Sequence, residues 1–143
     1  IKAGLFVDTF SAVDQAPIVT IHKLPSPADV KGDAPPALES LLQLHNAAKQ
    51  DDRVALLSLK PPIFHTFPST DSKVTLQAAV YLPDEEIHGK GPWPLVVATY
   101  GGPHVQYVRN TWGMMTADMR SQFLRANGFA VLKVDNRGSN RRG

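Results

Sequence analysis

Short runs of apolar and β-branched residues separated by polar turns dominate the first part of the chain. Residues 4–10 and 18–24 predict two strands, and Asp14 and Pro17 supply turn residues in the connection between them. The two strands can form a hairpin. Because an isolated hairpin is marginal in water, we expect these strands to belong to a larger sheet whose other members are missing.

The pattern then changes twice before residue 61. Residues 25–36 contain four prolines and one glycine and predict a linker, the clearest domain boundary in the chain. Residues 37–49 follow with apolar positions at helical spacing and predict a helix. The face of that helix is formed by Leu38, Leu41, Leu42 and His45. We interpret His45 as an ordinary helix residue and not as a ligand.

After Pro61 and Pro62 the pattern is typical of strands. Residues 63–67 and 75–82 predict two strands joined by the polar turn S-T-D-S-K. Residues 84–92, D-E-E-I-H-G-K-G-P, predict an exposed loop, and residues 95–100 predict the next strand. An apolar run of this length suits a strand that is covered on both faces, as in parallel sheets.

The last part of the chain predicts a βαβ unit. Apolar residues recur at spacings of 3, 4, 4 and 3 between residues 112 and 126 and predict a helix over residues 112–127. Gly128 stands where a left-handed residue ends a helix, and residues 129–134 predict a strand that ends at Asp135. A right-handed crossover is expected for this unit. The apolar helix positions are Trp112, Met115, Met119, Phe123 and Ala126.

Composition limits the class of protein. The chain has 143 residues, 43% of them hydrophobic, which is enough for the core of a globular domain. It begins with Ile1 and stops at Gly143 directly after N-R-R, so we expect a partial or processed sequence. There are no cysteines, which excludes disulfides and thiolate metal sites within these residues and agrees weakly with a reducing, cytoplasmic compartment. Neither a signal peptide nor an apolar run of about 18 residues is visible.

Charge is distributed unevenly but does not indicate a nucleic-acid partner. Residues 1–92 hold 8 Lys and Arg against 11 Asp and Glu (net −3), and residues 93–143 hold 7 against 2 (net +5). The basic stretch R-G-S-N-R-R-G near the end is short and lacks interleaved aromatic residues. We therefore interpret the arginines as solvent-facing, and an RNA-binding function is disfavoured.

The segment P-L-V-V-A-T-Y-G-G-P-H-V-Q, residues 94–106, is the strongest candidate for chemistry. Tyr100 ends an apolar strand, and active sites of open α/β sheets gather at such carboxyl ends. Gly101 and Gly102 allow a sharp turn and a close approach. In α/β-hydrolases a glycine-rich loop after an early strand supplies a donor to the oxyanion hole, a role that the Tyr100 hydroxyl could serve. The spacing alone leaves open a buried tyrosine before an ordinary turn.

Other polar residues give weaker signals. Asp135 stands at a strand end, where its carboxylate could orient another side chain, coordinate a ligand or cap backbone N–H groups. A structural role is favoured. Ser139 is not a candidate nucleophile, because the chain contains no G-x-S-x-G elbow. Glu85 and Glu86 are interpreted as solvated acids. The histidines offer no helical pair or carboxylate cluster, so no metal site and no cofactor is expected. These histidines are His65, His88 and His104.

Two motifs together, Y-G-G-P at 100–103 and D-N-R-G-S at 135–139, closely resemble the prolyl oligopeptidase family of serine peptidases. Within that family the resemblance is to the dipeptidyl peptidase IV branch, and there to the cytosolic 8/9-like type with Y-G-G-P-x-V-Q. P-P-I-F-H-T-F and L-Q-A-A-V-Y-L-P look like the strands that open the family's hydrolase domain. The resemblance is strong from about residue 61 onward and weaker before it.

The resemblance implies a fold class and a domain division. The class is α/β: the N-terminal part of an α/β-hydrolase domain preceded by the last strands of a β-propeller. Residues 1–24 would be propeller strands, 25–60 a linker with a helix, and 61–143 the incomplete start of the catalytic domain. F-V-D-T-F-S and I-V-T-I-H-K-L resemble the family's last propeller strands.

The resemblance also implies site residues and an activity. Tyr100 matches the oxyanion-hole tyrosine, and Asp135 and Arg137 match a loop that we interpret as architecture. Asn136 stands where many members have glycine, a tolerable departure. The Ser-Asp-His triad and the glutamates that bind the substrate amine would lie outside this chain, so Glu85 and Glu86 are not those residues.

The implied activity is release of N-terminal X-Pro-like dipeptides from a peptide substrate by acyl-enzyme catalysis. The 143 residues alone are expected to be inactive and to fold poorly on their own. The resemblance leaves open whether the parent is a homodimer. Two alternatives remain at this point: a non-catalytic homologue acting as a binding or accessory subunit, and an acylaminoacyl peptidase or esterase of the same fold.

Overall fold

The computed structural model describes residues 4–29, 32–33 and 35–141, which form two sheets and short helices of the mixed α/β class. The strands are β1 Leu5–Ala12, β2 Gln15–Lys23, β3 Ser40–Asn46, β4 Ile63–Pro68, β5 Thr75–Tyr81, β6 Leu95–Thr99 and β7 Ala130–Asp135. The helices are α1 Ala47–Gln50, α2 Asp52–Leu56, α3 Glu85–His88 and α4 Met119–Ala126.

The first sheet has the order β1-β2-β3, with all pairs antiparallel. The expected hairpin is confirmed, with Asp14 in its turn. Pro17 was wrongly assigned to the turn, because it lies inside β2. The pairing is irregular there: Phe10 faces Ile18 but Ala12 faces Gln15, so β2 carries an extra residue. Such a bulge accommodates a proline, which has no N–H to donate.

The helix predicted over residues 37–49 is wrong. Residues Ser40–Asn46 form β3, which pairs with β2, and only Ala47–Gln50 is helical. Leu38, Leu41, Leu42 and His45 therefore form no helix face, and all four are exposed. The open edge of β2 presents backbone donors and acceptors that a third strand satisfies, and this long-range pairing overrides the local spacing of leucines.

The predicted linker, residues 25–36, contains a short 3-10 helix at Pro27–Asp29. Residues 30, 31 and 34 of that stretch lie outside the described residues.

The second sheet has the order β4-β5-β7-β6. The hairpin of β4 and β5 is confirmed, and β7 runs antiparallel to β5 but parallel to β6. The segment 84–92 is not simply a loop, since it contains α3. The Asp84 side chain caps that helix by accepting a hydrogen bond from the Glu86 N–H at 3.2 Å.

The connection from β6 to β7 is helical only in its second half. Residues 112–117 are turns, and α4 begins after Asp118, whose side chain accepts from the Arg120 N–H at 3.2 Å. Gly128, directly after the C-cap residue, has φ +85, which confirms the expected left-handed helix end.

The expected apolar face of α4 is not its buried face. Met119 and Phe123 are 49% and 67% exposed, whereas Gln122 and Arg125 are buried. The Gln122 amide donates to the carbonyls of Lys60 (2.7 Å) and Thr116 (2.8 Å). The inward face is thus polar because it satisfies backbone carbonyls of neighbouring segments.

A small apolar cluster joins the two sheets. Ala79, Val108 and Met115 are buried together, and Val13 from the first hairpin turn packs on them. The Val13 N–H donates to Asn110 Oδ1 at 3.0 Å, and the Thr116 hydroxyl donates to the Val13 carbonyl. The segment 108–116 is therefore held between the hairpin turn and the second sheet.

Candidate functional site

The carboxyl ends of β6 and β7 lie side by side. Thr99, the last residue of β6, pairs with Val134, and the Thr99 hydroxyl donates to the Val134 carbonyl at 3.4 Å. Tyr100 follows β6 directly, and Asp135 is the last residue of β7. The two motifs that are 35 residues apart in sequence therefore meet at one edge of the sheet, because parallel strands end at the same side.

Tyr100 presents its ring at this edge. It is 48% exposed, so the spacing-based alternative of a buried tyrosine is wrong. The ring lies against Gly102: a Cβ at residue 102 would be 2.5 Å from Tyr100 Cε1 and 2.9 Å from the hydroxyl oxygen. The Tyr100 side chain therefore leaves no room for a Cβ at residue 102 unless the ring moves.

Asp135 closes the loop that begins with Tyr100. The residue is 1% exposed, and its Oδ1 accepts from the backbone N–H groups of Tyr107 (2.6 Å) and Val108 (3.1 Å). Residues 100–106 thus form a loop with one end fixed by β6 and the other by the end of β7. The sequence suggested a structural role for Asp135, and these contacts give it one.

Tyr107 is held by two cationic side chains. Lys133 Nζ lies 4.9 Å from the centre of the Tyr107 ring and 5.4 Å from that of Tyr81. Arg120 donates to the Tyr107 hydroxyl at 3.2 Å. The phenol of Tyr81, itself buried, donates to the Met115 carbonyl at 2.8 Å. Burial raises the pKa of Tyr81, which therefore stays neutral.

Lys133 of β7 forms an ion pair with Asp118, the N-cap residue of α4. The Lys133 ammonium is 2.6 Å from Asp118 Oδ2 and donates to the Met114 carbonyl at 3.0 Å. Burial lowers the pKa of Lys133, and the hydrogen bond to Asp118 offsets only part of that effect. Burial also acts to raise the pKa of Asp118, but hydrogen bonds from Lys133 and Ser121 outweigh it and leave the pKa below its ordinary value.

Sequence reasoning did not single out Lys133, Asp118 or Tyr107. The sequence does point to Lys133, because it is the one charged residue in the otherwise apolar strand A-V-L-K-V, residues 130–134. A lysine in an apolar strand indicates a buried partner, because an unpaired buried ammonium is costly. Its partner, 15 residues upstream, has no comparable signal.

The remaining candidate residues lie away from this edge. Glu85 and Glu86 are exposed in the first turn of α3. His88 makes a 2.9 Å hydrogen bond with the Ala126 carbonyl, and Ser139 is buried and donates to Asn136 Oδ1 at 2.7 Å. His45 and His65 are exposed on β3 and β4, His104 is exposed in the loop after β6, and Arg137 pairs with Asp71 at 2.9 Å.

The described residues contain neither a metal-binding cluster nor a membrane-spanning helix. Across residues 4–29, 32–33 and 35–141, no group of three His, Cys, Asp or Glu side chains is arranged to bind a metal ion. In the same part of the chain, no helix has the length and apolar character needed to cross a membrane.

The parallel pair β6-β7 with its helical crossover, and the motifs at its carboxyl end, agree with the family that the sequence resembles. The chain is related to the 8/9-like type of dipeptidyl peptidase in the prolyl oligopeptidase family. It is 32% identical over 138 residues to dipeptidyl peptidase 8 of Homo sapiens, and to the same degree to dipeptidyl peptidase 8 of Mus musculus. Each match covers 96% of this chain but only 14% of the relative's length. No family model matches the chain.

Proposed function

We propose that this chain is part of a serine-type dipeptidyl peptidase and that Tyr100 is the hydroxyl donor of its oxyanion hole. The observation that carries the proposal is the exposed Tyr100 ring at the carboxyl end of β6, seated on Gly102, in a chain related to dipeptidyl peptidase 8. Both the position and the relationship support hydrolysis over the alternative of an accessory subunit.

The proposed reaction is acyl transfer from a peptide. A serine outside these residues attacks the carbonyl after the second residue of the substrate, and the carbonyl oxygen becomes negatively charged. The Tyr100 hydroxyl donates a hydrogen bond to that oxygen, which stabilises the tetrahedral intermediate more than the bound substrate. The intermediate collapses by breaking the peptide C–N bond, which releases the rest of the peptide as a free amine and leaves the dipeptide esterified to the serine. Water then hydrolyses this acyl-enzyme and releases the N-terminal dipeptide, of which X-Pro is the proposed class.

We also propose the division of the chain that the resemblance implied. Residues 1–24 would end a propeller, 25–60 would connect it, and 61–143 would begin the hydrolase domain. The separation of the described strands into two sheets, β1 to β3 and β4 to β7, supports a boundary before residue 61. It does not support one at residue 24, because β3 (Ser40–Asn46) lies in the proposed connection and pairs with β2. A cytoplasmic location for the parent protein is a further proposal, as is a peptide as its substrate.

The test uses the complete protein that contains this chain. The tyrosine is replaced by phenylalanine (Tyr100→Phe), which keeps the ring and removes the donor, and hydrolysis of an X-Pro anilide is followed. We expect kcat to fall by about 10²- to 10³-fold with little change in KM, the cost of losing one oxyanion donor.

A matched control replaces Tyr107, the other tyrosine near this edge, with phenylalanine. The Tyr107 hydroxyl receives its hydrogen bond from Arg120 and is proposed to have no part in the reaction, so this variant should keep most of its activity. Wild-type kcat in Tyr100→Phe would exclude Tyr100 as the donor. Absence of X-Pro hydrolysis by the unsubstituted protein would favour the accessory-subunit alternative.

A further inference from the structure

We propose that Asp135 is a positioning residue for Tyr100: its buried carboxylate fixes the far end of the loop that carries the hydroxyl. This inference rests on the proposed function, since it concerns the same oxyanion donor. Asp135 itself would not touch the substrate.

The loop that carries Tyr100 is fixed at both ends. Its near end is fixed by Thr99, which pairs with Val134 in β7. Its far end is fixed at Tyr107 and Val108, whose N–H groups donate to Asp135 at 2.6 and 3.1 Å. Val134 and Asp135 are consecutive, so both ends of the loop depend on the last two residues of the same strand.

Asp135 anchors the far end of the loop with two hydrogen bonds. Two N–H groups share one carboxylate oxygen, and hydrogen bonds to an ionised acceptor are roughly twice as strong as neutral ones. Asp135 is 1% exposed, so water does not compete for its carboxylate. Loss of this acceptor would remove a charged partner from two backbone donors at the end of the loop.

The Tyr100 ring itself is only partly packed. The ring is about half exposed and its close neighbour is Gly102, which has no side chain with which to brace it. The position of the hydroxyl therefore depends on the path of the backbone through residues 100–106. A displacement of about 1 Å at a reacting group can reduce the rate by about a hundredfold.

The experiment is a double-mutant cycle in the complete protein, with Asp135→Ala and Asp135→Asn each combined with Tyr100→Phe. We expect Asp135→Ala to lower kcat by about 10- to 100-fold with little change in KM. Asp135→Asn retains a neutral acceptor and should lower kcat by a smaller but measurable factor, about two- to tenfold. In the Tyr100→Phe background neither substitution should lower kcat further, because the donor that they misplace is already absent.

Arg137→Ala is the matched control. Arg137 lies two residues after Asp135, but its partner is Asp71 in the hairpin of β4 and β5, so kcat should stay near the wild-type value. If Asp135→Ala does not fold, Asp135→Asn carries the test, since it keeps the shape of the side chain.

The outcomes separate the two proposals. Equal losses in the wild-type and Tyr100→Phe backgrounds, or no loss in either, overturn the positioning role while leaving Tyr100 as the donor. Wild-type kcat in Tyr100→Phe alone overturns the proposed function and, with it, this inference.

Discussion

The contact between Tyr100 and Gly102 makes the substitution Gly102→Ala a sensitive test of the site. A Cβ at 102 would lie 2.5 Å from Tyr100 Cε1, 2.9 Å from Cζ and 2.9 Å from the hydroxyl oxygen. Ordinary van der Waals contact begins near 3.4 Å, so the ring must withdraw by about 1 Å. Because the ring is 48% exposed, it can move toward solvent without displacing a packed neighbour.

The expected result is therefore a loss of activity without a loss of stability. Displacement of the hydroxyl by about 1 Å should lower kcat by roughly a hundredfold. The loss of kcat should not exceed that of Tyr100→Phe, which removes the hydroxyl altogether. The free energy of unfolding should change by less than about 0.5 kcal/mol, since residue 102 has no positive φ and no buried contact is lost. The assay is steady-state hydrolysis of an X-Pro anilide by the complete protein, together with a urea unfolding curve.

Gly101→Ala provides the matched control one residue away. Apart from the adjoining residues Tyr100 and Gly102, no described atom would lie within 4 Å of a Cβ at 101, so the same substitution should leave kcat within about twofold of wild type. Equal kcat values for the two alanine variants would exclude displacement of the Tyr100 hydroxyl as the cause. A further fall of kcat on adding Gly102→Ala to Tyr100→Phe would exclude it as well.

Two further predictions concern stability. Asp118→Asn should lower the free energy of unfolding by about 3–5 kcal/mol, because it leaves the buried Lys133 ammonium without its counter-ion. The pKa of Asp118 in the folded protein lies below its ordinary value. The stabilisation by the ion pair is therefore fully present at a pH above the pKa of Asp118 in the unfolded chain, and it is lost as the pH falls through the pKa in the folded protein. Urea unfolding midpoints measured between about pH 3 and pH 7 check this, and the midpoint of the wild type should approach that of Asp118→Asn at low pH. The control Asp71→Asn removes an exposed ion pair and should have a midpoint near that of the wild type at neutral pH. A difference between wild type and Asp118→Asn that does not change with pH would contradict the predicted pH dependence. Gly128→Ala should lower the free energy of unfolding by about 1–2 kcal/mol, because φ is +85 there and the Cβ would be 3.1 Å from His88 Nδ1. The control Gly113→Ala has open space around its Cβ and should leave the urea midpoint nearly unchanged. Equal midpoints for the two variants would exclude an effect of the left-handed backbone at residue 128.

Local patterns located most strands of the second sheet and both motifs at its edge. The polar turn S-T-D-S-K, the apolar run before Tyr100 and the glycine at 128 each depend on neighbouring residues only, and the structure confirms the elements they predict. The helix predicted around His45 was wrong because the backbone of β2, 18 to 28 residues away at the paired positions, offers hydrogen bonds that local spacing cannot reveal. The inward face of α4 was misassigned for a similar reason: Gln122 and Arg125 satisfy carbonyls of distant segments.

The motifs Y-G-G-P and D-N-R-G-S by themselves indicated a family and named Tyr100 as the candidate donor, because such short motifs are set by residue types at fixed spacing. Only the tertiary structure decided that the ring rests on Gly102, that Asp135 anchors the loop, and that Lys133 is paired with Asp118. Each of these contacts depends on the parallel pairing of β6 with β7 and on the path of the chain between them. Long-range pairing of backbone groups, which a one-dimensional pattern does not encode, converts a recognisable motif into a positioned hydroxyl.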